Sequence, residues 1–135
     1  MSNSDLRNKI ILVIEDSQVC LALIRAFFRD TGAVLLIAGT AREGWKMFSD
    51  NKVDIVLTDL RLPDSDGLTL VRRMKRTKPN VPVIIQTACT VDFTEEECFE
   101  AGCDDYISKP YPRSVFMKVV LRNLSAAETH FLRCC

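Results

Sequence analysis

The sequence predicts a single α/β domain: a doubly wound, five-stranded parallel sheet with helices on both faces. Two observations predict this class. Short apolar runs lack the polar alternation of a half-exposed strand, and segments with helical periodicity separate them. Strand and helix alternate five times before residue 125, without an internal repeat. With 135 residues, the chain can form one domain with a substantial core but not two of ordinary size.

Five segments are expected to be strands. The clearest are three apolar runs at residues 10–14, 53–57 and 81–85, and the run at 34–37 is similar. Residues 106–107 form a weaker fifth segment. Runs that are apolar throughout are typical of strands covered by helices on both faces, which favours a parallel sheet. Ligands of such sheets bind beyond the carboxyl ends of the strands, so a functional site is expected at that edge.

Local signals mark the starts of the intervening helices. Thr40 and Thr94 each begin a capping box, and either Ser65 or Asp66 is expected to cap a third helix. The last helix is expected to begin near Pro112, because proline suits a first helical turn.

The last helix carries a wide apolar arc, broader than one stripe facing a sheet needs. We therefore expect part of the arc to be exposed as a contact surface, unless the tail folds back over it. The residues concerned are Met117, Val120, Leu121 and Leu124.

Composition and charge exclude several classes of function. Lys and Arg number 18, as do Asp and Glu, so the chain lacks the basic excess of a nucleic-acid-binding domain. No apolar run reaches the roughly 20 residues needed to cross a bilayer. The polar first residues are unlike a secretory signal. We therefore expect a cytoplasmic location, no membrane partner and no direct nucleic-acid binding by this domain.

The six cysteines are expected to be reduced thiols. None forms a Cys-x-x-Cys pair and the single histidine, His130, lies far along the chain, which argues against a zinc site. The terminal Cys134 and Cys135 are expected to be exposed and open to oxidation in air. A lipidation site is the less favoured alternative for this pair, because no polybasic segment accompanies it.

Acidic, hydroxyl and ammonium groups follow the expected strands. Glu15 and Asp16 follow the first, Asp59 the third, Thr87 the fourth and Lys109 the fifth. Three carboxylates brought together repel one another unless a cation intervenes, and Mg²⁺ suits a site with few protein carboxylates. A carboxylate can also attack phosphorus, and phosphoryl transfer needs charge neutralisation and positioning more than a general base. The pattern therefore favours magnesium-dependent chemistry that forms an aspartyl phosphate.

Each of these residues also has a purely structural explanation. An acidic residue after a strand is often a helix cap, and a lysine is often a solvated surface charge. Unrelated surface residues have no reason to occupy successive strand ends along one edge, so the set as a whole favours a functional site.

Four motifs in the chain resemble the receiver domain of the two-component response-regulator family, over residues 9–124. Their order and spacing both fit that family. The motifs are VIEDS at 13–17, DLRLPDSDG at 59–67, QTA at 86–88 and AGCDDYISKP at 101–110.

The resemblance implies a flavodoxin-like receiver fold with Asp59 as the phosphoacceptor. Asp16, Asp59 and the backbone carbonyl of Arg61 would bind Mg²⁺ directly, while Glu15 would act mainly through water. Lys109 would contact the phosphoryl oxygens.

Thr87 and Ala88 would also contact the phosphoryl group, according to the resemblance. Thr87 would move toward that group and Tyr106 would swing inward with it, which would alter a surface built from the fourth helix, fifth strand and fifth helix. Gln18 and Cys89 occupy positions that tune hydrolysis of the aspartyl phosphate. The peptide bond from Lys109 to Pro110 would be cis.

The resemblance also implies partners. A sensor histidine kinase or a histidine phosphotransfer protein would donate the phosphoryl group. The altered surface would bind a downstream protein or a second copy of the chain. The protein would catalyse only its own phosphorylation and dephosphorylation, so we do not expect an enzyme with turnover.

Two other functions are open at this point. The first is a binding module with the receiver fold that is no longer phosphorylated, although the intact set of site residues argues against it. The second is a small aspartate-dependent phosphatase, which usually carries a second Asp where this chain has Arg61. We interpret residues 1–8 as a polar extension, 9–124 as the receiver domain and 125–135 as a tail or helix extension. Whether the chain acts alone or belongs to a longer regulator stays open.

Overall fold

A five-stranded parallel sheet lies between two layers of helices, which confirms the predicted fold class. The structure is a computed structural model that describes residues 6–88 and 94–134, with side chains in the last helix described as far as Glu128. The strand order in the sheet is β2-β1-β3-β6-β7. These strands are β1 (Ile10–Ile14), β2 (Val34–Ala38), β3 (Ile55–Thr58), β6 (Val83–Thr87) and β7 (Asp105–Ser108).

In the described residues, four helices and one small hairpin lie between strands of the sheet, and a fifth helix follows the last strand. The hairpin, β4 (Arg61–Leu62) and β5 (Ser65–Asp66), is antiparallel and was not predicted. The helices are α1 (Gln18–Phe27), α2 (Ala41–Asp50), α3 (Gly67–Thr77), α4 (Glu95–Glu100) and α5 (Arg113–Cys134). The fifth strand of the sequence prediction is therefore β7.

Alternate residues of each strand face opposite layers, because side chains in a strand point to the two sides in turn. On β1, Ile11 and Val13 pack into a core with α1 and α5. Leu12 and Ile14 pack into a second core with α2, α3 and α4. Both faces of the central strands are therefore buried, which explains their continuous apolar sequences.

Strands β3 and β6 each begin two residues later than predicted. The carboxylate of Asp54 accepts a hydrogen bond from Ile10 N at 2.7 Å, so this residue caps the sheet rather than pairing within it. Pro82 has no N–H to donate, and pairing of β6 with β3 starts at Val83. At their other ends both strands extend further than predicted, to Thr58 and Thr87.

The predicted helix starts are confirmed. Thr40, Asp66 and Thr94 each accept a hydrogen bond from a backbone N–H in the first turn of the following helix, so Asp66 rather than Ser65 caps α3. Helix α5 begins directly after Pro112. The Lys109–Pro110 peptide bond is cis, as predicted.

The predicted exposure of the α5 apolar arc is wrong for three of the four residues concerned. Met117, Val120 and Leu124 are buried, and Leu121 is half-buried. Helix α1 packs beside α5 on the same face of the sheet, so the arc contacts both the sheet and a neighbouring helix. The alternative, a tail folding back, is also wrong, because α5 continues as a helix to Cys134.

Three cysteine side chains lie in the described part of the chain and can be compared with the expectation of reduced thiols. Cys20, Cys98 and Cys103 are free thiols, and the last two are buried. Burial raises the pKa of Cys98, and it raises that of Cys103 to about 12. In the part of the chain that the structure describes, no helix is both long and apolar enough to cross a membrane.

Asp105 joins β7 to α5 and provides a test of the packing. Its Oδ2 accepts hydrogen bonds from Arg122 Nη2 at 2.6 Å and from Asn123 Nδ2 at 2.9 Å. Burial alone would raise the pKa of Asp105, but these bonds outweigh it and lower the pKa below its ordinary value of 3.8. The stabilisation is therefore present above pH 3.8 and is lost as the pH falls through the lower folded-state pKa.

We expect Asp105→Ala to lower the free energy of unfolding by about 1–2 kcal/mol at pH 7, since it removes charged hydrogen bonds that are partly exposed. Urea denaturation between pH 2 and 7 measures the difference from wild type, which should shrink below pH 3.8. Asp50→Ala, on an exposed helix end, is the control and should change stability little. A difference that stays constant with pH would contradict the assigned role.

Candidate functional site

The predicted site residues meet at the carboxyl edge of the sheet. Glu15 directly follows β1, Asp59 follows β3 and Lys109 follows β7. Backbone hydrogen bonds extend one residue past each strand: Glu15 N donates to Ala38 O at 2.9 Å, Asp59 N to Ile14 O at 3.0 Å and Lys109 N to Thr87 O at 3.0 Å. The sheet itself therefore fixes where these three side chains begin.

Lys109 joins two of the acidic residues. Its Nζ lies 2.8 Å from Glu15 Oε2 and 3.0 Å from Asp59 Oδ2. The Lys109 and Asp59 side chains are each 14% exposed, so the ion pairs are only partly screened by water. The Lys109 ammonium group therefore forms ion pairs with two carboxylates that follow different strands.

Glu15 is the most deeply buried member of the cluster, with a side chain 1% exposed. Its second oxygen, Oε1, accepts a hydrogen bond from Ser17 N at 3.1 Å. Burial raises the pKa of Glu15, and the negative charge of Asp59 adds to this effect, while the hydrogen bond from Lys109 opposes it. Both carboxylate oxygens of Glu15 are already occupied by protein donors.

The main chain around Asp59 fixes the orientation of its carboxylate. Oδ1 accepts hydrogen bonds from Leu60 N at 2.6 Å and from Arg61 N at 3.2 Å. Gly67 makes this turn possible, because a Cβ there would lie 2.5 Å from the backbone oxygen of Asp59. The Gly67 N–H also donates to Leu60 O at 2.7 Å.

The cluster carries an excess of negative charge. Two carboxylates share one ammonium group, and Asp16 adds a third acidic side chain next to Glu15. Burial alone would lower the pKa of Lys109, but hydrogen bonds to Glu15 and Asp59 outweigh it and raise the pKa. Lys109 therefore stays protonated at neutral pH, and the remaining negative charge favours a cation.

The three carboxylates predicted to bind metal are not gathered into one ligand set. Asp16 is exposed at the edge, whereas Glu15 and Asp59 turn toward Lys109. Within residues 6–88 and 94–134, no group of three or more His, Cys, Asp or Glu side chains is arranged to hold a metal ion. Arg61, whose carbonyl was the fourth expected ligand, begins β4 beside Asp59.

The other predicted residues lie around this cluster. Thr87 ends β6 and is buried, while Ala88 is exposed just beyond it. Tyr106, on β7, is half-buried and packs against the core shared by α2, α3 and α4. Gln18 is exposed at the start of α1. Cys89 lies outside the described residues.

Sequence reasoning missed two contacts near the site. Asp64 accepts hydrogen bonds from Ala41 N at 2.8 Å and from Arg42 N at 3.0 Å, which joins the loop after Asp59 to α2. These bonds lower the pKa of Asp64. The second contact is a buried hydrogen bond between Tyr111 and Gln86. A glutamine inside an otherwise apolar strand was the available signal for that one.

Residues 11–121 match the family model of the response regulator receiver domain, and the chain therefore belongs to that family. Over 101 residues it is 34% identical to the virulence transcriptional regulatory protein PhoP of Salmonella typhimurium (strain LT2), an alignment that covers 75% of this chain and 45% of that protein. It is 31% identical to the uncharacterized transcriptional regulatory protein YclJ of Bacillus subtilis (strain 168), over 86% of this chain and 52% of that protein. The chain thus spans about half the length of the curated relatives it matches.

Two solved structures have the same fold. A CheY-like receiver domain protein from Methanospirillum hungatei JF-1 is 25% identical, with a TM-score of 0.84 and coverage of 91% of this chain and 98% of that one. The receiver domain of sensor histidine kinase PA1611 from Pseudomonas aeruginosa PAO1 is 28% identical, with a TM-score of 0.79 and coverage of 87% and 98%. The PA1611 structure has a magnesium ion coordinated in its active site cleft.

Proposed function

We propose that this chain is a phosphoacceptor switch in which Asp59 accepts a phosphoryl group and the domain then changes its contact surface. The observation that carries the proposal is the position of Asp59, held by Lys109 and by two backbone N–H groups at the carboxyl edge of the sheet. A sensor histidine kinase or a histidine phosphotransfer protein would supply the phosphoryl group. Membership of the receiver domain family supports this choice of partner.

The proposed transfer forms one bond and breaks one. A carboxylate oxygen of Asp59 attacks phosphorus, the bond from phosphorus to the imidazole nitrogen of the donor breaks, and its electron pair stays on that nitrogen. Lys109 contributes a positive charge and does not take up a proton, because its raised pKa keeps it protonated. Thr87 and Ala88, at the end of β6, would donate hydrogen bonds to the phosphoryl oxygens.

The donors at this edge are of the kind that Mg²⁺ prefers, although the described carboxylates are not gathered into one ligand set in this structure. Carboxylate and carbonyl oxygens suit a hard cation, and the excess negative charge of the cluster favours one. Asp16, Asp59 and the backbone carbonyl of Arg61 would hold the ion directly. Glu15 would act mainly through water. The bound metal would neutralise charge on the phosphoryl oxygens.

The domain would catalyse only its own phosphorylation and dephosphorylation. Gln18 and Cys89 would tune the second reaction. The runner-up function is a receiver-like module that is not phosphorylated, and the intact set of Glu15, Asp16, Asp59, Thr87 and Lys109 argues against it. A phosphatase is less favoured, because Arg61 stands where such enzymes usually carry a second Asp.

The output surface would consist of α4, β7 and α5, with Thr87 and Tyr106 as the coupled switch. Helix α4 presents exposed acidic side chains, and α5 presents the exposed basic residues Lys118 and Arg122. In a two-fold dimer each such surface meets its own copy, so acidic α4 could contact basic α5 of the partner. The acidic residues are Glu95, Glu96, Glu97 and Glu100.

The first prediction tests the acceptor. When the full chain is incubated with acetyl phosphate and Mg²⁺, intact mass should show one added phosphoryl group on wild type and none on Asp59→Asn, because the amide is not nucleophilic. Asp50→Asn, an exposed acid on α2, is the matched control and should take up the group normally. Equal uptake by Asp59→Asn would refute the assignment.

The second prediction concerns the metal. Asp16→Asn should raise the Mg²⁺ concentration that half-saturates the site about tenfold or more, because it removes a charged ligand. Amide shifts around Asp59 during a Mg²⁺ titration measure this concentration. Glu43→Gln, exposed on α2, serves as the control. Unchanged Mg²⁺ binding by Asp16→Asn would show that the metal site has been misplaced.

The third prediction concerns self-association. With Mg²⁺ and beryllofluoride as a phosphoryl mimic, wild type should sediment as a dimer, and Lys118→Glu should remain a monomer because like charges then face each other. The double variant Glu96→Lys with Lys118→Glu restores opposite charges and should dimerise again. A wild type that stays monomeric with the mimic would exclude a second copy as the partner of this surface.

A further inference from the structure

Gln86 and Tyr111 form a buried polar pair that the proposed chemistry does not use. Tyr111 OH donates to Gln86 Oε1 at 2.6 Å. Gln86 is fully buried and Tyr111 is 9% exposed. Among the described residues, Gln86 Nε2 has no hydrogen-bond partner. A buried amide that satisfies only part of its hydrogen-bonding capacity costs stability, so core packing alone does not explain the choice of glutamine.

The pair is close in the chain to two residues of the functional site. Gln86 precedes Thr87 on β6, and Tyr111 comes two residues after Lys109. Lys109 N already donates to Thr87 O at 3.0 Å, so the segment after β7 is tied to the end of β6 at two points. Two residues span at most about 7 Å, so the position of Tyr111 limits where the main chain of Lys109 can lie.

The ring of Tyr111 also packs against aromatic side chains of two helices. The ring stacks on Phe116 of α5, with 5.2 Å between centroids and 22° between planes. It also contacts Phe27 of α1, with centroids 6.1 Å apart. The ring therefore packs on α1 and α5, and the hydroxyl group joins these two helices to β6. Burial raises the pKa of Tyr111 to about 12, so the hydroxyl keeps its proton and can donate at neutral pH.

We propose that Gln86 and Tyr111 are positioning residues, which hold the segment from Lys109 to Tyr111 against β6 so that the Lys109 ammonium lies between Glu15 and Asp59. The effect that this inference predicts on the rate of phosphoryl transfer rests on the proposed function. The placement of Lys109 can be measured separately.

Three full-chain variants test the pair. Tyr111→Phe removes the hydroxyl and keeps the ring, Gln86→Leu removes the amide, and the double variant replaces the polar pair with an apolar one. Thr31→Val is the matched control, because it removes a buried hydroxyl that donates to Phe28 O at 2.7 Å near the opposite, amino edge of the sheet.

The first readout is the NMR resonance of the Lys109 side-chain ammonium, assigned by its loss in Lys109→Arg. We expect this resonance to move or broaden in Tyr111→Phe and in the double variant but not in Thr31→Val. An unchanged resonance in Tyr111→Phe and in the double variant would overturn the inference. This readout does not depend on phosphorylation, so it decides the positioning role even if wild type takes up no phosphoryl group, a result that would refute the proposed function alone.

The second readout is phosphorylation by acetyl phosphate at saturating Mg²⁺. Tyr111→Phe should lower the maximal rate constant about fivefold or more, with little change in the half-saturating donor concentration, because a misplaced Lys109 affects the transferring group. The double variant should recover thermal stability, since no buried amide lacks a partner, but its rate should stay low. Recovery of the rate together with stability would show a merely structural role and would overturn the inference.

Discussion

The functional site depends on the two ion pairs that the Lys109 ammonium group forms. Lys109 reaches Glu15 from β1 and Asp59 from β3, while its own main chain is fixed to the end of β6. Without this positive charge, two carboxylates at the end of a buried sheet would repel each other. The pKa of Lys109 is raised by these partners, so the charge persists across the physiological range. The negative charge that Lys109 leaves unbalanced favours a cation at the same edge.

Strand β6 connects this constraint to both helical layers. Thr87 and Gln86 are neighbours, and neighbouring strand residues point to opposite faces of a sheet. Tyr106, proposed to move with Thr87, packs against the core of α2, α3 and α4. Gln86 contacts Tyr111, which belongs to the core of α1 and α5. A change at Asp59 could therefore reach both layers, and the proposed output surface includes a helix from each, α4 and α5.

Much of the fold could be predicted because burial on both faces of a parallel sheet leaves continuous apolar runs. The strand ends could not, since Thr58, Gln86 and Thr87 are polar and yet buried. The exposure predicted for Met117, Val120 and Leu124 was wrong because the sequence does not show which elements pack together. Helical periodicity shows which residues share a side of α5, but it does not show that α1 covers that side.

The same limit applies to the site. The rule that ligands bind beyond strand ends located Glu15, Asp59 and Lys109 from sequence alone. The sequence does not show which oxygen meets which donor, that Glu15 is buried while Asp16 is exposed, or that Tyr111 reaches Gln86. These details depend on side-chain packing between elements that lie far apart in the chain.

The central claim is that Asp59 accepts the phosphoryl group while Lys109 supplies the balancing charge. A crystal structure of the full chain with Mg²⁺ and beryllofluoride tests it most directly. The account predicts beryllofluoride bonded to an oxygen of Asp59, with Lys109 Nζ within hydrogen-bond distance of a fluorine. Beryllofluoride absent from Asp59 or bonded to another residue, with Lys109 still joined to both carboxylates, would contradict it.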